Sequence, residues 1–553
     1  MRTQRTGEDM TQPAWAPGVA AAAAVLVAAL LVLALGAPQA GALGLGDAPD
    51  VATARHALQV DAATADAMAA EAQDAAGLGV REGSRTRADA LRAAAREAQA
   101  TRLFTRAHTL YGRARDLYLQ AGARRPARAC LTAMQDIYLI VGTYGATRSE
   151  MLEELETWYP GVPAARRAAW LDMPSTESLR WDGVKHYFYD VPVNLAYRDL
   201  DLFLTLPSHV AAYQRIYDGL VPYLAVGAAT PAWQQYGEPH AYDFTQTLSV
   251  PRAALAATGD LRAWLPVPIV VGPQSDVRIG EITPTTWLEY PPSITQDIGL
   301  VYLHVPLGEL NDDLDLTFGV HYTHAAQYFK VRPAAIGAYD TSSASYRRYT
   351  ASRGNTTFTP SMRRTALRVA GSATNPYYAA RRLYRYILAE VKYSHVPHVT
   401  MWPRGQAESV YVHQHKYGDC GAQSMYFAAL CRSIGIPART TGGFQTFTGK
   451  PDGHFWAEVF LPDYGWIPAD PAAATMADYL PSVTPAERQA FHDFYFGSQD
   501  DQRLVVQKDV DLPLIPRADM RVQLPMAVQM PAATCETMTD MPGFVLTEYW
   551  TFK

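Results

Sequence analysis

The stretch that decides the fold runs from Tyr417 to Arg439, YGDCGAQSMYFAALCRSIGIPAR, and is followed at Gly453 to Pro471 by GHFWAEVFLPDYGWIPADP. The first segment predicts a buried helix over 421–434, because apolar side chains recur on one side and the helix has a glycine and a proline directly after it. A cysteine, Cys420, stands where this helix begins.

The second segment predicts a β-hairpin. An alternating strand starts at His454, PDYG forms the turn, and WIPAD returns to Asp470. His454 and Asp470 lie at opposite ends of the hairpin in sequence, so we expect them to be neighbours in space.

Cys420, His454 and Asp470 are the three groups that a thiol enzyme needs. The start of a helix carries partial positive charge, which predicts a lowered pKa and a thiolate-rich Cys420. His454 can take the thiol proton, and Asp470 can fix the orientation of the imidazole. We expect Gly418 and Gly421 to leave the space around the sulfur uncrowded, and the Cys420 N–H to help hold an oxyanion.

At these residues the chain resembles the transglutaminase-like superfamily of papain-like thiol enzymes. The resemblance rests on a cysteine opening a helix, RSIGIPAR, a histidine before WAEV, a GW turn and DP, and it covers about residues 360 to 500. The segment YFGSQDDQR from Tyr495 is similar to flanks of microbial members. The resemblance implies an α+β fold with a papain-like core, and acyl chemistry through a thioester on Cys420. Relatives include protein crosslinkers, peptidases and amidases, and some have lost catalysis.

The acceptor of the acyl group stays open. If water resolves the thioester the enzyme hydrolyses peptide or protein amides, and if an amine does it crosslinks or modifies them. We favour hydrolysis, because the extra domains of the animal enzymes are not recognisable. No residue pattern calls for calcium or another cofactor. As in papain-like proteases, Gln414 is a candidate oxyanion donor, while Tyr417 and Trp456 are candidate pocket walls or core residues.

Two alternatives compete with an acyl-transfer enzyme. His395, His398, His413 and His415 precede the cysteine, but their spacing matches no closed zinc site. The other alternative is a catalytically silent domain that serves as a binding or scaffold protein at the cell surface.

The N-terminus predicts an extracytoplasmic protein. Residues 18–36, GVAAAAAVLVAALLVLALG, are uncharged and follow Arg2 and Arg5. Such a segment is long enough to anchor the chain in a membrane, although APQAGA at 37–42 would also suit a signal-peptidase site and secretion. The net charge of -6 and the absence of basic blocks argue against nucleic acid as a partner. The oligomeric state is open.

The texture of the sequence divides the chain into six regions. They are a signal peptide or anchor (1–42), an α-helical region (50–175), a mixed connecting region (176–245), a β-rich domain (246–355), the transglutaminase-like domain (356–500) and a C-terminal extension that packs on the core (501–553). The four cysteines are too scattered for a disulfide framework. A bridge between Cys130 and Cys535 is possible.

Overall fold

The structure is a computed structural model that describes residues 57–77, 83–401, 405–447, 449, 451–522, 529–539 and 547–552. The apolar segment predicted at 18–36 lies outside these residues. Among the described helices, none is both long enough and apolar enough to cross a membrane.

The helices concentrate in the N-terminal third and around the candidate site. In chain order they are α1 (Ala62–Ala75), α2 (Ser84–Ala100), α3 (Phe104–Gln120), α4 (Arg124–Thr143), α5 (Arg148–Trp158), α6 (Ala164–Trp170), α7 (Val191–Arg198), α8 (Leu200–Phe203), α9 (Pro207–Ala229), α10 (Ala344–Thr350), α11 (Pro360–Ala370), α12 (Pro376–Glu390), α13 (His398–Met401), α14 (Glu408–His415), α15 (Cys420–Ser433), α16 (Pro471–Ala474) and α17 (Pro485–Phe494).

The strands concentrate in the middle and the C-terminal part of the chain. They are β1 (Ser178–Trp181), β2 (Val184–Tyr187), β3 (Tyr236–Val250), β4 (Asp260–Pro266), β5 (Gln274–Ile279), β6 (Leu300–Pro306), β7 (Leu314–Tyr328), β8 (Lys392–Tyr393), β9 (Tyr417–Gly418), β10 (Ala438–Gln445), β11 (Asp452–Leu461), β12 (Gly465–Ala469), β13 (Ser498–Gln499), β14 (Arg503–Gln507), β15 (Ala532–Thr534) and β16 (Thr547–Phe552). Together with the helices they give the mixed α and β fold that the sequence predicts.

Two sheets form the β-rich part of the molecule. One has the order β13-β7-β3-β16, with β5 also paired to β7, and the other has the order β15-β4-β6. Their shared core contains Leu248, Leu261 and Leu303, and it extends to Leu504 on β14. The C-terminal strands β15 and β16 therefore return to sheets that begin some 300 residues earlier, pairing with β4 and β3.

The candidate site is built on a third sheet, of order β12-β11-β10-β14. Helix α15 packs against β10 and β11, and every one of its residues is buried. It ends before Gly435, whose φ of 84° suits glycine. The helix and the β11–β12 hairpin agree with the sequence prediction.

Strands β10 and β14 approach so closely that one position on β10 must be a glycine. A Cβ added at Gly443 would lie 1.9 Å from the backbone oxygen of Leu504. Gly443 also pairs with His454 on β11, so this close approach fixes the strand that carries the candidate histidine.

All four cysteines are buried free thiols. The possible bridge between Cys130 and Cys535 is therefore wrong. Cys420 and Cys431 share helix α15 without a bond.

Candidate active site

Cys420 is the first residue of helix α15. Asp419 caps this helix, because its Oδ1 accepts a hydrogen bond of 3.0 Å from the N–H of Ala422. The Cys420 sulfur accepts a hydrogen bond from the backbone N–H of Phe455, so it lies beside the peptide that joins Phe455 to His454. Only 1% of Cys420 is exposed to solvent.

The glycines on either side of the cysteine are needed for close packing. A Cβ at Gly421 would lie 3.0 Å from the ring of Phe455, and a Cβ at Gly418 would lie 3.0 Å from Val412. The glycines therefore allow the first turn of α15 to lie against β11, where the thiol meets the Phe455 N–H. That they also leave the space around the sulfur uncrowded stays a prediction.

His454 and Asp470 are neighbours, as the hairpin predicts. The His454 Nε2 lies 2.8 Å from Asp470 Oδ2, and both side chains are buried. Asp470 follows the last residue of β12 and caps α16 through a 3.0 Å bond from the Ala473 N–H to its Oδ1. The other ring nitrogen of His454, Nδ1, is buried without a hydrogen-bond partner among the described residues.

The charge state of this pair follows from its bonds. A carboxylate only accepts hydrogen bonds, so the Nε2 of His454 carries a proton toward Asp470, and Nδ1 is the ring nitrogen left to exchange a proton with the thiol. Burial tends to raise the pKa of Asp470, but the charges of His454 and Arg503 outweigh it and hold that pKa at about 2. Asp470 is therefore ionised at neutral pH.

Arg503 is a member of the site that the sequence analysis did not identify. Its Nη1 donates to Asp470 Oδ2 at 2.8 Å and its Nη2 donates to Asp500 Oδ2 at 2.7 Å, and all three side chains are buried. The guanidinium also lies 5.5 Å from the ring centroid of Trp456. Arg503 closes the segment YFGSQDDQR, whose similarity to flanks of microbial relatives was the available signal.

The thiol itself is less acidic than its position at a helix start predicts. Burial raises the pKa of Cys420 well above its usual range, the negative charge of Asp419 raises it further, and the Phe455 N–H lowers it. The prediction of a thiolate-rich cysteine is therefore wrong for this closed site. The structure instead favours a neutral thiol, held against the backbone N–H of the residue that follows His454.

Gln414 does not reach this site. Its side chain lies on the exposed side of α14, and its Oε1 accepts a hydrogen bond from Gln406 at 3.3 Å, whereas Cys420 is buried. Residues Tyr411 and Val412 occupy the inward side of the same helix. The oxyanion role predicted for Gln414 is wrong, because the periodicity of α14 turns its side chain outward.

The two candidate pocket residues have different environments. Trp456 is buried, its ring centroid lies 6.0 Å from that of His454, and its indole Nε1 has no hydrogen-bond partner among the described residues. Tyr417 is half-buried, and the guanidinium of Arg198 lies 4.0 Å above its ring. Trp456 thus forms a wall beside the imidazole, while Tyr417 anchors α7 near the start of α15.

The four histidines of the metal alternative do not converge. Their polar or aromatic partners are Asp190 for His395, Glu408 and Asp419 for His398, Ser361 and Tyr426 for His413, and Tyr411 for His415. Within the described part of the chain, no three His, Cys, Asp or Glu side chains are arranged to hold a metal ion.

Comparisons with known proteins agree with the site geometry. Residues 363–471 match the family model described as the transglutaminase-like superfamily, and this range contains Cys420, His454 and Asp470. This part of the chain is therefore a transglutaminase-like domain. A comparison with curated proteins finds no significant relative.

Two solved structures are similar to parts of the chain. A candidate cysteine protease from Cytophaga hutchinsonii is 13% identical with a TM-score of 0.32, and the match covers 54% of this chain and 99% of that one. The periplasmic domain of TgpA from Pseudomonas aeruginosa is 14% identical with a TM-score of 0.23, covering 48% of this chain and 99% of that one. Since both TM-scores lie below 0.5, the assignment rests on the family model and the site geometry.

Proposed function

We propose that the transglutaminase-like domain at residues 363–471 is a cysteine-dependent acyl-transfer enzyme that acts on peptide or protein amides through a thioester on Cys420. The observation that carries the proposal is the His454 imidazole, bonded to the ionised Asp470 through Nε2 and unpartnered at Nδ1, next to the peptide group that contacts the Cys420 thiol. This is the arrangement that a general base requires before it takes a proton from a nucleophile.

The chemistry proceeds in two halves. As the Cys420 sulfur attacks the amide carbon, its proton passes to His454 Nδ1, and the resulting imidazolium is stabilised by Asp470. The imidazolium then gives this proton to the departing amine nitrogen, the C–N bond breaks, and a thioester remains on Cys420. Attack by water or a second amine, with its proton taken by His454, returns the free thiol and releases an acid or a new amide.

Hydrolysis is the favoured outcome of the second half. An amine acceptor needs a second binding site for its side chain or backbone, whereas water needs none. The proposed activity is therefore that of a peptidase, amidase or deamidase.

The proposed location is outside the cytoplasm. The uncharged segment 18–36, preceded by arginines, supports an N-terminal anchor or a cleaved signal peptide, with residues from about 43 onward exported. The substrate is then a peptide or protein at or beyond the membrane surface.

One observation favours a second candidate function. Cys420 is only 1% exposed and His454 is 0% exposed, so a substrate reaches them only after the surrounding segments move. A catalytically silent domain that binds partners at the cell surface would also show this burial.

Product analysis separates the two functions. The full chain is incubated with a glutamine-containing peptide, with and without a primary amine, and the products are weighed by mass spectrometry. Enzymatic function predicts a deamidated, cleaved or amine-linked product that disappears in Cys420→Ala. Cys431→Ala is the matched control, since Cys431 is equally buried but lies near the other end of the same helix. No product with any peptide, or full turnover in Cys420→Ala, would contradict the proposal.

A further inference from the structure

A cluster of three buried ionisable side chains lies directly behind the start of helix α15. His398 Nε2 lies 2.5 Å from Asp419 Oδ2, and His398 Nδ1 lies 2.8 Å from Glu408 Oε1. Glu408 is 0% exposed, Asp419 1% and His398 7%. The mechanism described above does not use this cluster, although Asp419 precedes the nucleophile and caps its helix.

The hydrogen bonds indicate the charge of His398. Both of its ring nitrogens face carboxyl oxygens, an arrangement that favours a doubly protonated, positively charged imidazolium ring. His454 differs, because only one of its nitrogens faces a carboxylate. Burial lowers the pKa of His398, but Asp419 and Glu408 outweigh it and raise that pKa well above its usual value.

Glu408 differs from Asp419 both in its hydrogen bonds and in the direction of its pKa shift. Glu408 Oε2 is buried and has no hydrogen-bond partner among the described residues, and burial raises the pKa of Glu408. Asp419 instead has a lowered pKa: burial raises it, while His398 and the Ala422 N–H lower it by more. The His398 imidazolium therefore interacts more strongly with Asp419 than with Glu408.

The ion pair between His398 and Asp419 affects the Cys420 nucleophile. A bare carboxylate at Asp419 opposes ionisation of the adjacent Cys420 thiol, and the imidazolium bonded to Asp419 Oδ2 offsets that charge. Because Asp419 Oδ1 holds the Ala422 N–H while Oδ2 holds His398, the same contacts fix the orientation of the first turn of α15.

We propose that His398 is a positioning residue of the nucleophile, an imidazolium that neutralises the Asp419 cap and so keeps the Cys420 thiol ionisable and in place. The inference rests on the proposed function, because it assigns His398 a task in that reaction. Other groups also act on the thiol or on the cluster and are unchanged in the test. Near Cys420 they are Asp470, Asp452 and Tyr393, together with His454, which precedes Phe455; near the cluster they are Asp190, Asp511 and His395.

The test measures the ionisation of Cys420 without any substrate. The full chain is alkylated with iodoacetamide across a series of pH values, and the Cys420 peptide is quantified by mass spectrometry to give the pH midpoint of its reactivity. We compare the pH midpoint rather than the absolute rate, because burial of the sulfur slows its alkylation in every variant. His398→Gln is expected to raise the midpoint and slow alkylation at neutral pH about tenfold or more, since an uncompensated neighbouring charge shifts a pKa by about one unit or more.

His304→Gln is the matched control. His304 also lies between two carboxylates, 2.6 Å from Glu289 and 3.1 Å from Asp260. It belongs to β6, which is not part of the sheet that carries the candidate site. This variant is expected to leave the Cys420 midpoint unchanged.

A second pair of variants keeps the test informative if His398→Gln does not fold. Asp419→Asn keeps an amide oxygen for the helix cap and removes the negative charge, and adding His398→Gln to it removes the positive charge as well. The double variant is expected to have a higher midpoint than Asp419→Asn alone. If neither His398→Gln nor the double variant moves the midpoint, while stability or turnover falls, His398 has only a structural role and the inference is overturned.

The result is independent of the proposed function. Failure of that function would appear as turnover that survives Cys420→Ala, or as no turnover at all, whereas the alkylation midpoint can be read in either case.

Discussion

Arg503 provides the most demanding prediction, because it is a buried cation shared by two buried carboxylates. Replacing it by Met keeps much of the side-chain volume but leaves Asp470 and Asp500 without their guanidinium partner. Breaking a buried ion pair by removing one partner costs about 3–5 kcal/mol. We expect Arg503→Met to lower the free energy of unfolding at neutral pH by an amount in that range.

The contribution of Asp470 to this loss can be bounded from its pKa. In the folded chain that pKa is about 2, compared with 3.8 for an unperturbed Asp, and a difference of this size corresponds to about 2 kcal/mol. Because the folded-state pKa is the lower one, this stabilisation is present above about pH 4 and is lost as the pH falls toward 2. In Arg503→Met the pKa of Asp470 rises, so the variant differs most from the unmodified chain at neutral pH and less in acid.

The assay is urea unfolding followed by tryptophan fluorescence, which includes the signal of Trp456, at neutral pH and near pH 4. Adding Asp470→Asn to Arg503→Met should recover part of the loss, since it removes one of the two unpaired charges. Arg385→Met is the control: this half-exposed arginine lies 3.0 Å from Asp493, and breaking such a pair costs about 0–1 kcal/mol. If Arg503→Met costs no more than the control, or the double variant recovers nothing, the assigned role of Arg503 is refuted.

Three further predictions concern single positions. Asp470→Ala should reduce kcat by less than Cys420→Ala does, because it removes the orientation of the imidazole but leaves the bond-making sulfur; unchanged kinetics would mean that another group orients His454. Gln414→Ala should leave kcat/KM unchanged, since its side chain is exposed on α14, and a fall of about tenfold or more would restore it as an oxyanion donor. Gly443→Ala should lower the melting temperature by several degrees or prevent folding, because its Cβ would lie 1.9 Å from the Leu504 oxygen; a melting temperature equal to that of the unmodified chain would contradict this packing.

The elements of the site were predictable because local signals define each of them. A glycine and a proline end helix α15, and an alternating pattern with a PDYG turn defines the β11–β12 hairpin. Cys420 and Asp470 therefore fall at element boundaries, and His454 falls near the start of β11. That His454 and Asp470 are neighbours follows from the hairpin, since both lie at its open end, beyond the pair of Ala457 with Ala469.

The charge balance of the site was not predictable in the same way. The pKa of the Cys420 thiol depends on how completely other parts of the fold bury it. The position of Cys420 at the start of a helix gives only the contribution that lowers this pKa. Arg503 and His398 contact the site across 33 and 21 residues of sequence, so no local periodicity places them there. Gln414 is close to Cys420 in sequence, but the periodicity of helix α14 turns its side chain to solvent.

Trapping the acyl-enzyme intermediate shows whether Cys420 forms a covalent thioester. The full chain is mixed with a glutamine-containing peptide ester or amide, quenched in acid within the first turnover and digested for peptide mass spectrometry. We expect the acyl mass on the peptide that contains Cys420, its removal by hydroxylamine, and its absence in Cys420→Ala. Turnover with no acyl group on Cys420, or an acyl group on another residue, would contradict it.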